Sequence, residues 1–123
     1  MKELILKKCL NCGALVEVYE DCTCSNCGIK CCGEEMKKLE PHCSNNEEES
    51  VLTYEVIGDV LVVKVNPNIA NEHNVEWVSM VSDEVVGKKF ISDKINAATF
   101  PYIPGSTLYA YCNEHGLWCT KID

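Results

Sequence analysis

The density of cysteine in the first third of the chain limits most strongly how this protein can fold. The sequence has 123 residues and ten cysteines, and eight of these lie within residues 1–43. A segment of about forty residues buries too little apolar surface to be stable without disulfides or a metal. The opening residues MKELILKK hold no apolar run long enough for a secretory signal, and no stretch is long enough to span a membrane. We therefore expect a cytoplasmic protein whose reduced thiols bind metal, the alternative being a disulfide-rich secreted domain.

Two Cys-x-x-Cys-Gly motifs and an adjacent cysteine pair make up this region. Residues 9–13 read CLNCG, residues 24–28 read CSNCG, and residues 31–33 read CCG. Two cysteines separated by two residues can hold one ion from a tight turn, and two such turns supply the four thiolates of a tetrahedral zinc or iron site. Spacing alone selects Cys9, Cys12, Cys24 and Cys27 as ligands. Three further thiols are then left over: Cys22, Cys31 and Cys32.

The remainder of the chain has the pattern of short strands. Runs rich in β-branched and aromatic residues are separated by turns at Gly58-Asp59, 66–68 (NPN), Asp83-Glu84 and Glu114-His115, and prolines break the segment ATFPYIPG. About seven strands without a helical period predict an immunoglobulin-like antiparallel β-sandwich. Residues 41–50, PHCSNNEEES, lack an apolar period and are predicted to be a linker. The predicted organisation is a metal-binding head (1–40), a linker (41–50) and a β-sandwich (51–123).

The charge distribution argues against nucleic acid as a partner. The chain has eleven lysines, no arginine and nineteen acidic residues, which give a net charge of −8. Binding to a phosphate backbone needs a concentration of positive charge, and the sequence has no such cluster. The overall charge also does not favour long-range attraction of an anionic substrate. We expect neither nucleic acid nor a membrane as a partner.

Four separated segments carry a resemblance to a known family. CLNCGALVEVYE and KCCGEEMKKLEP resemble the head of the desulfoferrodoxins, two-domain members of the superoxide reductase family; HNVEW and YCNEHGLW resemble that family's H-x-x-E-W and Y-C-N-x-H-G-x-W motifs. These motifs occur in the same order as in the family, and the resemblance covers nearly the whole chain. It implies a desulforedoxin-like head whose iron is held by Cys9, Cys12, Cys31 and Cys32, with Cys22, Cys24 and Cys27 in an inserted loop. The matching-motif set with Cys24 and Cys27 remains the alternative.

The resemblance also implies a second iron site, in which four histidines and one cysteine thiolate leave one position open to superoxide. Cys112 corresponds to the thiolate, and His73 and His115 correspond to two of the histidines. The other two histidines are missing. EESVL stands in place of E-K-H-V-P, so Ser50 falls on the histidine and Glu49 on the lysine, while Pro67 or Asn68 falls on the other histidine position.

The histidine count limits what this second site can be. The chain has three histidines, the third being His42 in the predicted linker, so one chain cannot supply four. His73, Cys112, His115 and Cys119 form a tetrahedral zinc set by ligand type. The structural alternative is that the histidines are hydrogen-bonded loop residues and Cys112 is a buried thiol. A catalytic pair of Cys112 and His115 lacks an identifiable third group.

Three functions are compatible with these patterns. The first is an electron-transfer or redox-sensing protein that works through the head iron and has a degenerate superoxide site. The second is a superoxide reductase that retains activity with an altered iron site. The third is a zinc-binding structural module whose sandwich mediates association. The resemblance further implies a homodimer, superoxide as the family substrate, and a small redox donor protein such as rubredoxin.

Overall fold

The computed structural model describes residues 3–20, 28–43, 51–66, 74–92, 94–113 and 116–122. Within these ranges all of the regular structure is β-strand. No helix in the described part of the chain is long and apolar enough to cross a membrane. The chain divides into two compact units, Leu4–Glu40 and a larger unit that contains Pro41–Asp123.

The part of the smaller unit that the structure describes contains two hairpins. The strands described there are β1 (Ile5–Lys8), β2 (Leu15–Val18), β3 (Lys30–Cys31), β4 (Glu34–Glu35) and β5 (Lys37–Lys38). β1 pairs antiparallel with β2 and β5, and β3 pairs antiparallel with β4. The buried apolar side chains described in this unit are few: Leu4, Leu6, Cys9 and Met36. Such a small apolar core is typical of segments that fold around a metal.

In the described residues of the larger unit, eight strands form two sheets. They are β6 (His42–Cys43), β7 (Leu52–Ile57), β8 (Val60–Val65), β9 (Val75–Val81), β10 (Val86–Phe90), β11 (Ala97–Pro101), β12 (Thr107–Cys112) and β13 (Gly116–Lys121). One sheet has the order β10-β9-β12-β13-β6 and the other has the order β11-β8-β7. The pairing is antiparallel except between β13 and β6, which run parallel. The predicted β-sandwich class is confirmed.

The core of the larger unit follows from the alternation of side chains along each strand. Directly opposite residues in an antiparallel pair present their side chains to the same face. The buried residues Val78 and Met80 of β9 lie opposite Ala110 and Leu108 of β12. From the second sheet, the same apolar cluster includes Leu61, Val63 and Phe100. Both sheets therefore contribute one apolar face to a shared core.

The hairpin between β7 and β8 confirms the turn predicted at Gly58-Asp59. Ile57 pairs with Val60, so Gly58 and Asp59 form the whole loop. Gly58 has a φ of +62°, in the left-handed region that two-residue hairpin loops require at their first position. Glycine adopts this conformation without steric conflict, which explains why the sequence fixes the register here.

The structure defines two segments more closely than the sequence does. Prolines were expected to break the segment ATFPYIPG, and β11 indeed ends at Pro101, the last residue of an edge strand, where proline is tolerated. The predicted linker begins with a strand, because His42 and Cys43 pair with Trp118 and Cys119 of β13. Residues 44–50 of that linker lie outside the described residues.

Valine truncation on β8 tests the position of this core. Val63 is fully buried, whereas Val60 on the same strand is 42% exposed. We expect Val63→Ala to lower the free energy of unfolding by about 2 kcal/mol, since it removes two buried methyl groups and leaves a cavity. Val60→Ala is the matched control and should change it by less than about 0.5 kcal/mol. Urea unfolding followed by tryptophan fluorescence measures both, and equal losses would contradict the placement of the core.

Candidate metal centre

Four thiol groups converge in the smaller unit. The sulfur atoms of Cys9, Cys12, Cys31 and Cys32 all lie within 4.8 Å of one another. The Sγ atoms of Cys12 and Cys31 are 3.6 Å apart, and those of Cys31 and Cys32 are 3.9 Å apart. Metal–sulfur bonds of 2.3 Å place neighbouring sulfurs of a tetrahedron about 3.8 Å apart. The four side chains therefore fit a single tetrahedral ion of the kind that thiolates prefer, zinc or iron.

The first pair of thiols is positioned by the loop that joins β1 to β2. The backbone N–H of Cys9 donates to the carbonyl of Ala14, and the N–H of Gly13 donates to the carbonyl of Cys9, both at 2.9 Å. Gly13 has a φ of +79°, which lets the chain reverse directly after Cys12. The Cys-x-x-Cys-Gly spacing thus closes a tight turn that places Cys9 and Cys12 in one cluster.

The second pair comes from a two-residue turn between β3 and β4. Cys31 pairs with Glu34, so Cys32 and Gly33 form the loop. Their φ values are +56° and +77°, the left-handed conformations that a type I′ hairpin turn needs at both positions. Among the described non-glycine residues, Cys32 alone has a positive φ. A non-glycine residue pays roughly 1–2 kcal/mol for this conformation, which is the type of local strain found where a side chain must be aimed at a site.

The cluster has a covered side and an open side. Cys9 is buried and Cys31 is half-buried, whereas Cys12 and Cys32 are exposed. Asn11 Nδ2 donates to Glu34 Oε2 at 3.2 Å, which connects the two turns across the exposed side. The thiols are therefore held by turns on both sides while part of the cluster remains accessible from solvent.

Hydrogen bonds lower the pKa of one thiol in the cluster and raise the pKa of two others. A hydrogen bond from the backbone N–H of Cys12, aided by that of Asn11, lowers the pKa of Cys9 to about 7 against the opposing effect of burial. Side-chain hydrogen bonds with neighbouring thiols, first with Cys12, raise the pKa of Cys31 to about 12. The pKa of Cys32 is also raised, chiefly through its interaction with Cys12. At neutral pH the metal-free cluster therefore retains protons that a bound ion must displace.

The predicted ligands of the head site lie only partly within the described residues. The structure brings together the four cysteines that the family resemblance implies. Cys24 and Cys27, which spacing alone favoured, lie outside the described residues, and so does Cys22. The alternative head site that uses them stays a prediction.

The second predicted site is described only through Cys112. This residue ends β12 and is fully buried, and the register against β9 shifts between Tyr111 and Cys112. Its remaining predicted members and the positions of the missing ligands lie outside the described residues: His73, His115, Glu49, Ser50, Pro67 and Asn68. The predicted role of Cys112 as a metal ligand therefore remains a prediction.

The tetrahedral zinc set that included Cys119 is wrong for this form of the chain. Cys119 forms a disulfide with Cys43, so its sulfur is not a thiolate ligand. It also lies opposite Tyr109 on β12, three positions from Cys112. Since side chains alternate along a strand, Cys112 and Cys119 lie on opposite faces of the sheet. The sequence offered no signal for this disulfide beyond two unassigned cysteines.

His42 is placed by the same pairing. Its ring lies edge-on to that of Trp118, with the centroids 4.5 Å apart and an interplanar angle of 79°. The residue is exposed on the two-residue strand β6. His42, on the edge strand β6, therefore packs against an aromatic side chain of the neighbouring strand β13.

Comparisons with known proteins agree with this arrangement. No family model matches the chain. It is 31% identical to a desulfoferrodoxin homolog from Archaeoglobus fulgidus over 117 residues, which cover 90% of this chain and 91% of the relative. It is 32% identical to a desulfoferrodoxin from Nitratidesulfovibrio vulgaris over 117 residues, 90% of each chain. The superoxide reductase from Treponema pallidum has a similar fold, with a TM-score of 0.66 at 19% identity over 95% of this chain and 97% of that one.

The raised pKa values of Cys31 and Cys32 predict that metal binding depends on pH. Both thiols are protonated at neutral pH in the metal-free protein, so binding of one ion should release about two protons or more. The apparent affinity for Zn²⁺ should therefore rise between pH 6 and pH 8. Titration calorimetry of the metal-free protein in two buffers of different ionisation enthalpy measures the proton release. An affinity that does not change with pH would contradict the described state of the cluster.

Proposed function

Because the chain belongs to the desulfoferrodoxin family, we propose that it is a redox protein whose head binds one iron through Cys9, Cys12, Cys31 and Cys32. The observation that carries the proposal is the convergence of these four thiols within 4.8 Å. Iron bound by four thiolates supplies a one-electron couple. Zinc fits the same donors, so the choice of iron rests on the family.

The open side of the cluster suits exchange of electrons with another molecule. Cys12 and Cys32 are exposed, and Leu10, which lies between the first two cysteines in the sequence, is 73% exposed. A donor can approach these sulfurs without any rearrangement of the two turns. An exposed leucine beside them also offers apolar contact to a partner. We propose a small redox protein, such as a rubredoxin, as the donor.

The second part of the proposal is that superoxide reduction is weak or lost. The chain has only three histidines, and serine stands at position 50, where the resemblance expects an imidazole ligand. Glutamate at position 49 replaces the expected lysine. Its charge would repel an anionic substrate by up to about 1 kcal/mol at an exposed site. The missing ligands should lower the activity more than the reversed charge does, because two of the four expected histidine ligands are absent.

A superoxide reductase with an altered iron site is the second candidate. It is favoured by Cys112, which is fully buried at the end of β12 and is not part of a disulfide. In this function Cys112, His73 and His115 would bind a second iron with fewer histidines than the family site has. A third possibility is a zinc-binding structural module, which the four-thiol cluster also fits.

Metal analysis with absorption spectroscopy on protein purified anaerobically from iron-replete cells separates these functions. We expect one iron per chain and the red colour of an iron–tetrathiolate centre. Cys32→Gly should abolish both, since it removes a ligand while keeping the left-handed turn conformation. The control Cys112→Ala should leave both unchanged.

Two results would contradict the preferred function. Two irons per chain, of which one is lost in Cys112→Ala together with measurable superoxide consumption, would establish the altered reductase. A colourless protein that contains one zinc would establish the structural module.

We also propose that the protein is a homodimer. The support is the family membership given by the full-length relatives. Light scattering coupled to size-exclusion chromatography should give twice the 13.7 kDa mass of the chain. A mass equal to one chain at micromolar concentration would contradict the dimer.

A further inference from the structure

A disulfide in the larger unit joins the short strand β6 to its neighbour β13. Neither of its cysteines belongs to the four-thiol cluster. Cys43 and Cys119 are separated by 76 residues in sequence and their Cα atoms are 4.4 Å apart. They are direct register partners in the parallel pair of β6 and β13. Their separation is within the range that disulfide geometry allows. The bond therefore links two backbones that already lie side by side.

The strand held by this bond has little else to keep it in place. β6 consists of His42 and Cys43, and both residues are exposed. Its register with β13 comprises two residue pairs. The edge-on contact of His42 with Trp118 supplements the pairing. A two-residue strand at a sheet edge makes too few hydrogen bonds to offset the entropy lost on ordering it, so the disulfide decides whether β6 stays attached.

The two sulfurs differ in accessibility. Cys43 is exposed, whereas Cys119 is 6% exposed. Exchange begins with in-line attack of a thiolate on one sulfur, and access selects which sulfur is attacked. An incoming thiol can therefore reach Cys43, while Cys119 is shielded and suited to be the leaving group. Disulfides with an exposed sulfur are also the more readily reduced class.

We propose that Cys43 and Cys119 form a reversible redox site that accepts electrons from a dithiol, and that reduction detaches β6 from β13. A thiolate of the dithiol attacks Cys43 Sγ, the Cys43–Cys119 bond breaks, and Cys119 leaves as a thiolate that takes up a proton. The second thiol of the reductant then attacks the reductant's other sulfur, which is bonded to Cys43 in the mixed disulfide. Cys43 is released as a thiol, and the reductant becomes a disulfide. Two electrons and two protons pass from the dithiol to the protein. An oxidised dithiol reverses the sequence.

Equilibration of the metal-loaded full chain in oxidised and reduced dithiothreitol buffers tests the site. Free thiols are trapped with a maleimide and located by peptide mass spectrometry. We expect Cys43 and Cys119 to become labelled together along a two-electron titration curve while the metal content stays constant. Amide hydrogen exchange at residues 42–43 should accelerate at least tenfold on reduction. In glutathione buffer the mixed disulfide should form at Cys43.

Trp118 provides a second readout, because its ring packs edge-on against that of His42 and loses this contact when β6 detaches. Its emission should shift to longer wavelength on reduction in the natural protein, and Trp118→Phe, which retains Trp77, should lose most of that shift. Cys119→Ser should give one reactive thiol at Cys43 in all of the dithiothreitol buffers.

Several outcomes would overturn the proposal. These are labelling of both cysteines in the fully oxidised buffer, labelling only after unfolding by denaturant, formation of the glutathione adduct at Cys119, or unchanged hydrogen exchange at residues 42–43. None of these outcomes depends on which metal the head binds, so the redox site stands or fails separately from the proposed function.

Discussion

The approach of four cysteine sulfurs to one another is the constraint on which the smaller unit depends. Its described apolar core is limited to a few side chains, among them Leu6 and Met36, and cannot supply the stability of a larger domain. Both hairpin turns end in a glycine with positive φ, and Cys32 adopts the same left-handed conformation. The backbone thus accepts local strain to aim the second pair of thiols at the first. In such a unit the free energy of metal binding contributes directly to folding.

The larger unit is stabilised differently. Its two sheets alternate inward and outward side chains, and the inward faces meet in an apolar core that includes Leu61, Met80 and Leu108. Cys112, whose predicted role as a metal ligand remains a prediction, is buried at the end of β12. A covalent bond between Cys43 and Cys119 fastens the first strand of this unit to the edge of its larger sheet. In the described part of the chain, the four-thiol cluster therefore belongs to the smaller unit and the disulfide to the larger one.

Local patterns in the sequence predicted the sandwich well, because its signals are local. The two-residue loop at Gly58-Asp59 and the β-branched-rich runs on either side of it determine turn and strands within a few positions. β11 ends at Pro101, in agreement with the proline signal, because proline is tolerated at the end of an edge strand and not within a central strand. The short strand β6 was missed because two residues carry no periodic signal.

The candidate site was less accessible to local reasoning. Cys9 and Cys31 are 22 residues apart, and spacing alone favoured a different second pair, so only the family resemblance indicated the group of thiols that the structure brings together. The pairing of Cys43 with Cys119 spans 76 residues and depends on a parallel contact that no motif marks. In both cases the decisive information is tertiary: which turns, or which strand edges, lie beside each other.

X-ray absorption at the iron edge of anaerobically purified protein tests the central claim most directly, because it reports the atoms bound to the metal. The account predicts a first shell of four sulfur atoms at about 2.3 Å, with no nitrogen or oxygen contribution. A shell that contains imidazole nitrogen, or protein whose head holds zinc and no iron, would contradict it.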